Sequence, residues 1–517
     1  MAGRGGRGPA GDGLGQPVEQ KAGSMTQALT RARILPTAAL VALIFLAKFV
    51  AYGWLVTPLW DIPDESGHYS YVEDIIRGEW PVVGQARMGD EVTRSWKDPA
   101  ATPGMNWIAQ HPPLFYVLDA PLVMAARAAG LDFEQQVRMA RMAGALFGAL
   151  TILGLALFLA RASGREELGL AGGIFLAATP MFTHLSTGVS HDTLVACTAA
   201  WAAYWCVRWL ESDRFRHLLY AAALVALCTV TKLTALAMAV PLFFALAWRL
   251  WRQRGHLPPH HWIYRTAALW LVMFVPMCLW IAWNLMTVGA IFPDSGILYD
   301  VTLVPIGFFE MMVRFPFWQH TLLNFVALIG WNGSDGGALN WLHATGPMAR
   351  YFLVLFGAGG LAVLLSPVLG RLQRRARQVA AGLSLLVLAY IGWALPLTQL
   401  AMWICVFLLG ALVLTLVANS RRFAAADGPG WLLATAALCT LVFVSIYYEH
   451  LWSGFTGVMR ATHGRYLYPV VPFVLLILLW PFRSRAASRA VLCGAVGAMV
   501  LADGFFLHQV FQLYGQL

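Results

Sequence analysis

The chain has 517 residues, of which 59% are hydrophobic and 12% are charged. A water-soluble domain usually has about 45–50% apolar and about 25% charged residues, so this composition excludes an ordinary soluble enzyme, a disordered chain and a small disulfide scaffold. On a soluble protein, the net charge of +10 would suggest nucleic-acid binding. On a membrane protein, basic cytoplasmic loops also produce a positive net charge. We therefore predict a polytopic membrane protein that contacts the bilayer and no nucleic acid.

The first elements in chain order are a polar tail and an apolar run. Residues 1–33 are rich in glycine at their start and include scattered arginines, which indicates a disordered cytoplasmic tail. The apolar run from residue 34 to about residue 59 is too long for the core of a signal peptide. Since about 20 apolar residues are enough to cross a bilayer as a helix, we predict an uncleaved spanning helix here.

Further apolar runs of roughly 15–22 residues recur as far as about residue 508. They predict an all-α polytopic membrane fold with about 13 transmembrane helices, in one domain over residues 34–517. Two long segments interrupt the runs, at about residues 60–137 and 285–350. Both are rich in aromatic residues and proline, so we expect outer loops that bear juxtamembrane helices, one of them near residues 317–331.

The distribution of charge predicts which side each loop faces. A cytoplasmic N-terminus puts most basic residues in inner loops and most acidic residues in outer ones, as the positive-inside rule requires. Both long loops would then lie on the periplasmic or extracellular face. The basic residues are mainly arginine, beside abundant alanine and glycine, which is typical of a GC-rich bacterial genome. We expect a multi-pass protein of the bacterial inner membrane.

The first outer loop is predicted to begin with an amphipathic helix. Asp61 is a suitable N-cap, and Gly78 is a natural stop. The apolar face between them, which includes Tyr69, is expected to lie on the bilayer.

Two adjacent carboxylates, Asp64 and Glu65, lie on this helix, and His68 follows Asp64 by one turn. The plain interpretation is an acid-rich helix N-terminus, which the helix dipole favours. The functional interpretation is a general base with an electrostatic or metal-binding neighbour. These three side chains permit a divalent cation without requiring one, so no obligatory cofactor is predicted.

Other candidate residues are spread over the later outer segments. His111 precedes two prolines that hold its backbone rigid, although the pair can equally mark a plain loop end. Lys232 lies between two apolar runs, where an ionisable group is usually functional, and snorkelling to the interface is the plain alternative. Further candidates near the ends of later runs are His191, Asp192, Arg460, His463, Arg465 and Tyr466.

Four short motifs occur in a distinctive order. They are Pro-Asp-Glu-x-x-His-Tyr at residues 63–69, His-Pro-Pro-Leu-x-Tyr at 111–116, Thr-Lys-Leu-Thr at 231–234 and Gly-Arg-Tyr-Leu-Tyr-Pro at 464–469. In this order and topology they resemble the GT-C superfamily of polyprenyl-phosphate-dependent glycosyltransferases. The most similar members are protein O-mannosyltransferases and lipid A aminoarabinose transferases.

The resemblance implies a GT-C-like fold and a transfer reaction. A monosaccharide would pass from a polyprenyl-phosphate donor to a hydroxyl group of a lipid, glycan or protein acceptor, with inversion in a single displacement. Asp64 would be the general base, assisted by Glu65. The donor phosphate would be bound by His68, His111, Lys232 and Arg465. Substrate binding would involve Tyr69, His191, Asp192, Arg460, His463 and Tyr466.

Two other functions remain open on the sequence. A transporter or flippase for a lipid-linked sugar would favour internal repeats and charges spread through the spans, whereas here the charges concentrate in the outer loops. An O-antigen polymerase or ligase using a lipid diphosphate would suit the basic residues at 460–465 but would leave Asp64 and Glu65 without a role.

Overall fold

The computed structural model describes residues 16–96, 99, 104–212, 214–252, 259–291, 293, 317–327, 338–369, 374–421, 432, 434–441 and 464–514. Within these ranges the chain is almost entirely helical, and its single β-bridge joins Arg87 to Met105. The predicted all-α fold is confirmed for this part of the chain.

The described residues form seventeen α-helices, numbered in chain order. They are α1 (Gln16–Leu55), α2 (Glu65–Ile76), α3 (Asp90–Arg94), α4 (Leu114–Ala128), α5 (Phe133–Ser163), α6 (Glu166–Ala178), α7 (Pro180–Ser186), α8 (His191–Ser212), α9 (Phe215–Thr229), α10 (Ala239–Arg252), α11 (Pro259–Thr287), α12 (Phe317–Ala327), α13 (Ala338–Leu369), α14 (Arg374–Ala394), α15 (Leu397–Ala418), α16 (Val471–Leu479) and α17 (Arg485–Tyr514). The same ranges contain four 3-10 helices, at Trp107–Gln110, Leu233–Met238, Gly464–Val470 and Trp480–Phe482.

Six helical segments of the described chain are long and apolar enough to cross a membrane, or seven if α6 and α7, which meet at 73°, form one bent span. The predicted multi-pass architecture is confirmed, while the number of about 13 helices stays a prediction. Helix α1 begins at Gln16, inside the segment predicted to be a disordered tail, and residues 1–15 lie outside the described ranges.

Helix α5 organises the core. It begins with a capping box, in which the side chain of Asp132 accepts the backbone N–H of Gln135 at 2.9 Å and the side chain of Gln135 accepts that of Asp132 at 3.1 Å. It ends at Ser163, and Gly164 follows with a left-handed φ of 73°, which favours glycine. Along its length α5 packs against α1, α6 and α8, and its many alanines and glycines permit the close approach.

Helix α2 starts later than the sequence predicts. Its first residue is Glu65, so the expected N-cap at Asp61 is wrong, and Asp64 takes the cap position with a left-handed φ of 62° and no side-chain cap bond. The helix ends at Ile76, and Gly78 follows with a φ of 77°, as the expected stop requires.

The apolar face of α2 is covered by protein. Tyr69 and Val72 are completely buried in an apolar cluster with Trp60, Phe115 and other side chains of the same loop. The expected contact of Tyr69 with the bilayer is therefore wrong, because α2 packs against α4 and the loop supplies its own apolar cover.

Gly464 marks a close approach between segments far apart in the chain. A Cβ atom at this position would lie 2.2 Å from the carbonyl oxygen of Thr321 and 2.2 Å from the backbone nitrogen of Phe325, both on α12. Backbone atoms cannot rotate aside as a side chain can, so the contact requires glycine. The 3-10 helix Gly464–Val470, and with it Arg465, is thereby fixed against α12.

We predict that Gly464→Ala destabilises the protein by about 1–3 kcal/mol, because the added methyl group forces the two backbones apart. The measurement is the denaturation midpoint of purified protein in detergent. Gly494→Ala is the matched control, since a Cβ atom at Gly494 has nothing within 4 Å. Equal midpoints for the two variants would contradict the packing argument.

Candidate active site

A chain of alternating charges joins four distant segments. The Oδ2 atom of Asp64, at the start of α2, lies 2.5 Å from a terminal guanidinium nitrogen of Arg465. The Nε atom of Arg465 lies 3.3 Å from Oδ2 of Asp192 on α8, and Oδ1 of Asp192 accepts a hydrogen bond of 2.7 Å from Nζ of Lys232. We call these four residues the ion-pair chain. All were predicted site residues, and the structure brings them together.

Asp64 is the most accessible member of the ion-pair chain. Its side chain is 17% exposed, whereas the side chains of Arg465, Asp192 and Lys232 are at most 8% exposed. Its Oδ1 atom accepts a hydrogen bond of 3.1 Å from the indole nitrogen of Trp107, so both oxygens are held in place. A carboxylate that is fixed but still reachable is suited to accept a proton from an incoming group.

Tyr466 lies beneath the two cations. Nζ of Lys232 is 3.9 Å from the centroid of its ring, and the guanidinium carbon of Arg465 is 5.4 Å away. A ring face attracts cations, so Tyr466 helps to hold both side chains in place.

A group of histidines adjoins the ion-pair chain. The ring of His191 lies 4.6 Å from that of His68 and 4.4 Å from that of His111, measured between centroids. The hydroxyl of Tyr116 lies 2.9 Å from Nδ1 of His68 and 3.2 Å from Nδ1 of His191. We call these four residues the imidazole cluster. Burial lowers the pKa of His68 to about 4, against the opposing effect of the nearby carboxylates, so this ring is neutral at ordinary pH.

Glu65 is turned away from the ion-pair chain and is completely buried. Its two oxygens accept hydrogen bonds of 2.8 Å each from Nε and a terminal nitrogen of Arg141. Each oxygen also accepts a backbone N–H at 3.1 Å, one from Trp60 and one from Val189. Four donors occupy the carboxylate, so Glu65 has a structural role in this geometry, and its predicted assistance to Asp64 stays a prediction.

The remaining predicted site residues fall into two groups. Tyr69 lies in the apolar cluster of the first outer loop, where its ring packs against those of Trp60 and Phe133. Arg460 and His463 lie outside the described residues.

Three residues of the site were not predicted from the sequence. Tyr116 is the last residue of the His-Pro-Pro-Leu-x-Tyr motif, so the motif itself pointed to it. Arg141 lies near the start of a long apolar run, where an isolated charge indicates a function. Trp107 carries no sequence signal, because its role depends on the fold of the loop.

The residues present do not fit the metal site that Asp64, Glu65 and His68 were predicted to permit. The oxygens of Glu65 already accept four hydrogen bonds. Among the described residues there is no group of three or more histidine, cysteine, aspartate or glutamate side chains that could hold a metal ion.

Residues 120–280 match the family model described as dolichyl-phosphate-mannose-protein mannosyltransferase. This segment contains His191, Asp192 and Lys232. The predicted resemblance to the GT-C superfamily is confirmed.

Three solved structures are similar at low identity. The Saccharomyces cerevisiae protein O-mannosyltransferase Pmt1-Pmt2 complex bound to the sugar donor has 18% identity and a TM-score of 0.37, over 52% of this chain and 35% of that chain. The apo Archaeoglobus fulgidus oligosaccharyltransferase has 12% identity and a TM-score of 0.47, over 93% of this chain and 56% of that chain. ArnT from Cupriavidus metallidurans bound to undecaprenyl phosphate has 15% identity and a TM-score of 0.35, over 86% of this chain and 77% of that chain. The chain thus covers well under two thirds of the yeast and archaeal chains. No curated protein matches it.

We predict that Glu65→Gln destabilises the protein by about 3–5 kcal/mol, because Arg141 is left as a buried charge without its counter-ion. The matched control is Glu134→Gln, whose carboxylate pairs with Arg138 at the surface and should contribute little. Denaturation midpoints of the two purified variants make the comparison. If Glu65→Gln were as stable as the control and yet inactive, its role would be catalytic instead.

Proposed function

We propose that the protein is an integral-membrane glycosyltransferase that moves a monosaccharide from a polyprenyl-phosphate donor to an acceptor hydroxyl group on the periplasmic or extracellular face. The observation that carries the proposal is the ion-pair chain, which puts a reachable carboxylate, Asp64, beside two buried cations. The family match to dolichyl-phosphate-mannose-protein mannosyltransferase supports a donor of this class. The acceptor is a hydroxyl group of a lipid, a glycan or a protein.

Lys232 and Arg465 are the groups we assign to the donor phosphate. A donor in which phosphate links sugar to polyprenol carries one negative charge, and the departing polyprenyl phosphate gains another as its bond to the sugar breaks. Cations held in a buried site stabilise such developing charge more than cations in water do. His68 is neutral, so it provides no positive charge to stabilise the departing phosphate.

Asp64 is the group we assign as general base. It would accept the proton of the acceptor hydroxyl while that oxygen attacks the anomeric carbon from the face opposite the phosphate. The bond between the anomeric carbon and the phosphate oxygen breaks in the same step, so the configuration inverts. Because Arg465 is held by Asp64 in the present structure, a bound phosphate would compete for the guanidinium and leave the carboxylate available to the acceptor.

The assignment of the two faces follows from the charge distribution along the chain. The positive-inside rule puts the basic loops in the cytoplasm and the site at the opposite surface, so a bacterial protein of this kind would act at the inner membrane with a periplasmic or extracellular site.

Asp64→Asn is expected to lower the rate of transfer by about 10²–10⁴-fold, because the amide cannot accept the proton, and to leave donor binding intact. Transfer is measured with purified protein in detergent, using polyprenyl-phosphate mannose in which the mannose is radiolabelled. Asp90→Asn is the control, an exposed acid of the same loop. Full activity in Asp64→Asn would exclude it as the base.

Lys232→Met is expected to weaken donor binding by about tenfold or more, since hydrogen bonds to charged groups are worth about 1.5–3 kcal/mol. Turnover of the bound donor should fall less than affinity. Binding of polyprenyl phosphate is measured by titration of the purified protein, with Arg138→Met as a control that removes a surface cation. An unchanged affinity in Lys232→Met would remove this residue from the phosphate site.

A further inference from the structure

Tyr116 occupies the centre of the imidazole cluster. Its side chain is completely buried, and its ring stacks on that of Tyr71 with centroids 3.9 Å apart. Its hydroxyl lies between Nδ1 of His68 and Nδ1 of His191, and these two nitrogens are its hydrogen-bond partners among the described residues. The arrangement links two histidines from different segments through one oxygen atom.

A phenol hydroxyl carries one proton, which constrains both histidines. Burial raises the pKa of Tyr116 well above its usual range, so the proton stays on the oxygen. The hydroxyl then donates to one Nδ1 atom and accepts from the N–H of the other. Since the rings of His68 and His191 are in contact, two positive charges there would repel each other, and neutral rings are favoured. Two neutral rings bridged in this way are opposite tautomers.

The position of Asp192 decides which ring is which. Nε2 of His191 lies 3.4 Å from Oδ1 of Asp192. Although Nε2 of His191 makes no hydrogen bond with the described residues, a carboxylate at this distance attracts an N–H and repels a lone pair, so Nε2 of His191 carries the proton. Nδ1 of His191 then accepts from Tyr116, and the oxygen of Tyr116 accepts from Nδ1–H of His68. This order leaves Nε2 of His68 as a hydrogen-bond acceptor.

We propose that Tyr116 is a positioning residue that holds His68 in the Nδ1–H tautomer, so that Nε2 of His68 accepts a hydrogen bond from a hydroxyl group of the donor sugar. The inference rests on the proposed function, because it concerns the sugar of the same donor. It assigns the phosphate to the charged side of the site and the uncharged sugar hydroxyls to the imidazole side.

Burial indicates that the ligand of His68 is the donor sugar rather than the acceptor. His68 and His191 are nearly inaccessible, and the charges of Lys232 and Arg465, the proposed phosphate ligands, act on both rings. In the donor, the sugar is bonded directly to that phosphate, so it must lie against the groups beside the cations. The acceptor approaches the more exposed Asp64.

The tautomer is tested by spectroscopy that does not depend on activity. Nitrogen-15 NMR of the purified full-length protein, with labelled histidine, distinguishes protonated from bare ring nitrogens. His68→Phe identifies the resonances of His68. The wild type and Tyr71→Phe should show His68 protonated at Nδ1, since the Tyr71 hydroxyl donates to the carbonyl oxygen of His111, at 3.1 Å. Tyr116→Phe should shift His68 toward the Nε2–H form.

An Nε2–H tautomer of His68 in the wild type would overturn the proposal. So would a His68 tautomer that is unchanged in Tyr116→Phe, because the phenol hydroxyl would then not be what holds it.

Binding measurements test the ligand. With polyprenyl-phosphate mannose as the probe, Tyr116→Phe and His68→Phe should each lose about tenfold in affinity, the effect of one or two hydrogen bonds. With sugar-free polyprenyl phosphate, Tyr116→Phe should stay within about twofold of the wild type. Equal losses for both lipids, or no loss for either, would overturn the sugar assignment. A wild type that binds neither lipid would instead contradict the proposed function, while the tautomer result would still stand.

Discussion

The need to pair charges that are shielded from water is the constraint on which the rest of this site depends. A buried ion costs several kcal/mol unless an opposite charge is placed against it. Asp64 and Arg465 satisfy that need across 401 positions of the chain, and Asp192 and Lys232 do so between α8 and the turn after α9. Since Arg465 contacts both carboxylates, these segments have to meet at one place, and that place is the candidate active site.

The same constraint explains why two neighbouring carboxylates have different surroundings. Asp64 has a left-handed backbone conformation before the helix and Glu65 is the first helical residue, so their side chains leave the backbone in different directions. Glu65 turns into the protein and is neutralised by Arg141, which also donates to backbone carbonyl groups of residues 53, 57 and 58. The buried pair anchors the end of α1 to α2 and α5, and Asp64 is thereby presented to the more open side.

Much of the fold was predictable, because the length and polarity of an apolar run are local properties. Apolar runs of the sequence do form helices, for example over residues 133–163, 191–212, 215–229 and 397–418. The gathering of Lys232 and Arg465 near Asp64 was also predicted, from short motifs whose order is distinctive. The start of α2 was not predictable, because Asp61 and Asp64 are equally good caps by residue type and the surrounding loop decided between them.

The sequence by itself determined that the protein is an all-helical membrane protein and which ionisable residues are scarce enough to matter. These conclusions follow from hydrophobicity and charge, which each residue carries wherever it is placed. Only the tertiary structure decided that Glu65 is enclosed by Arg141, that Tyr69 packs in the core, and that Tyr116 bridges two histidines. Those outcomes depend on the direction of each side chain and on the packing of segments hundreds of residues apart, neither of which a linear pattern contains.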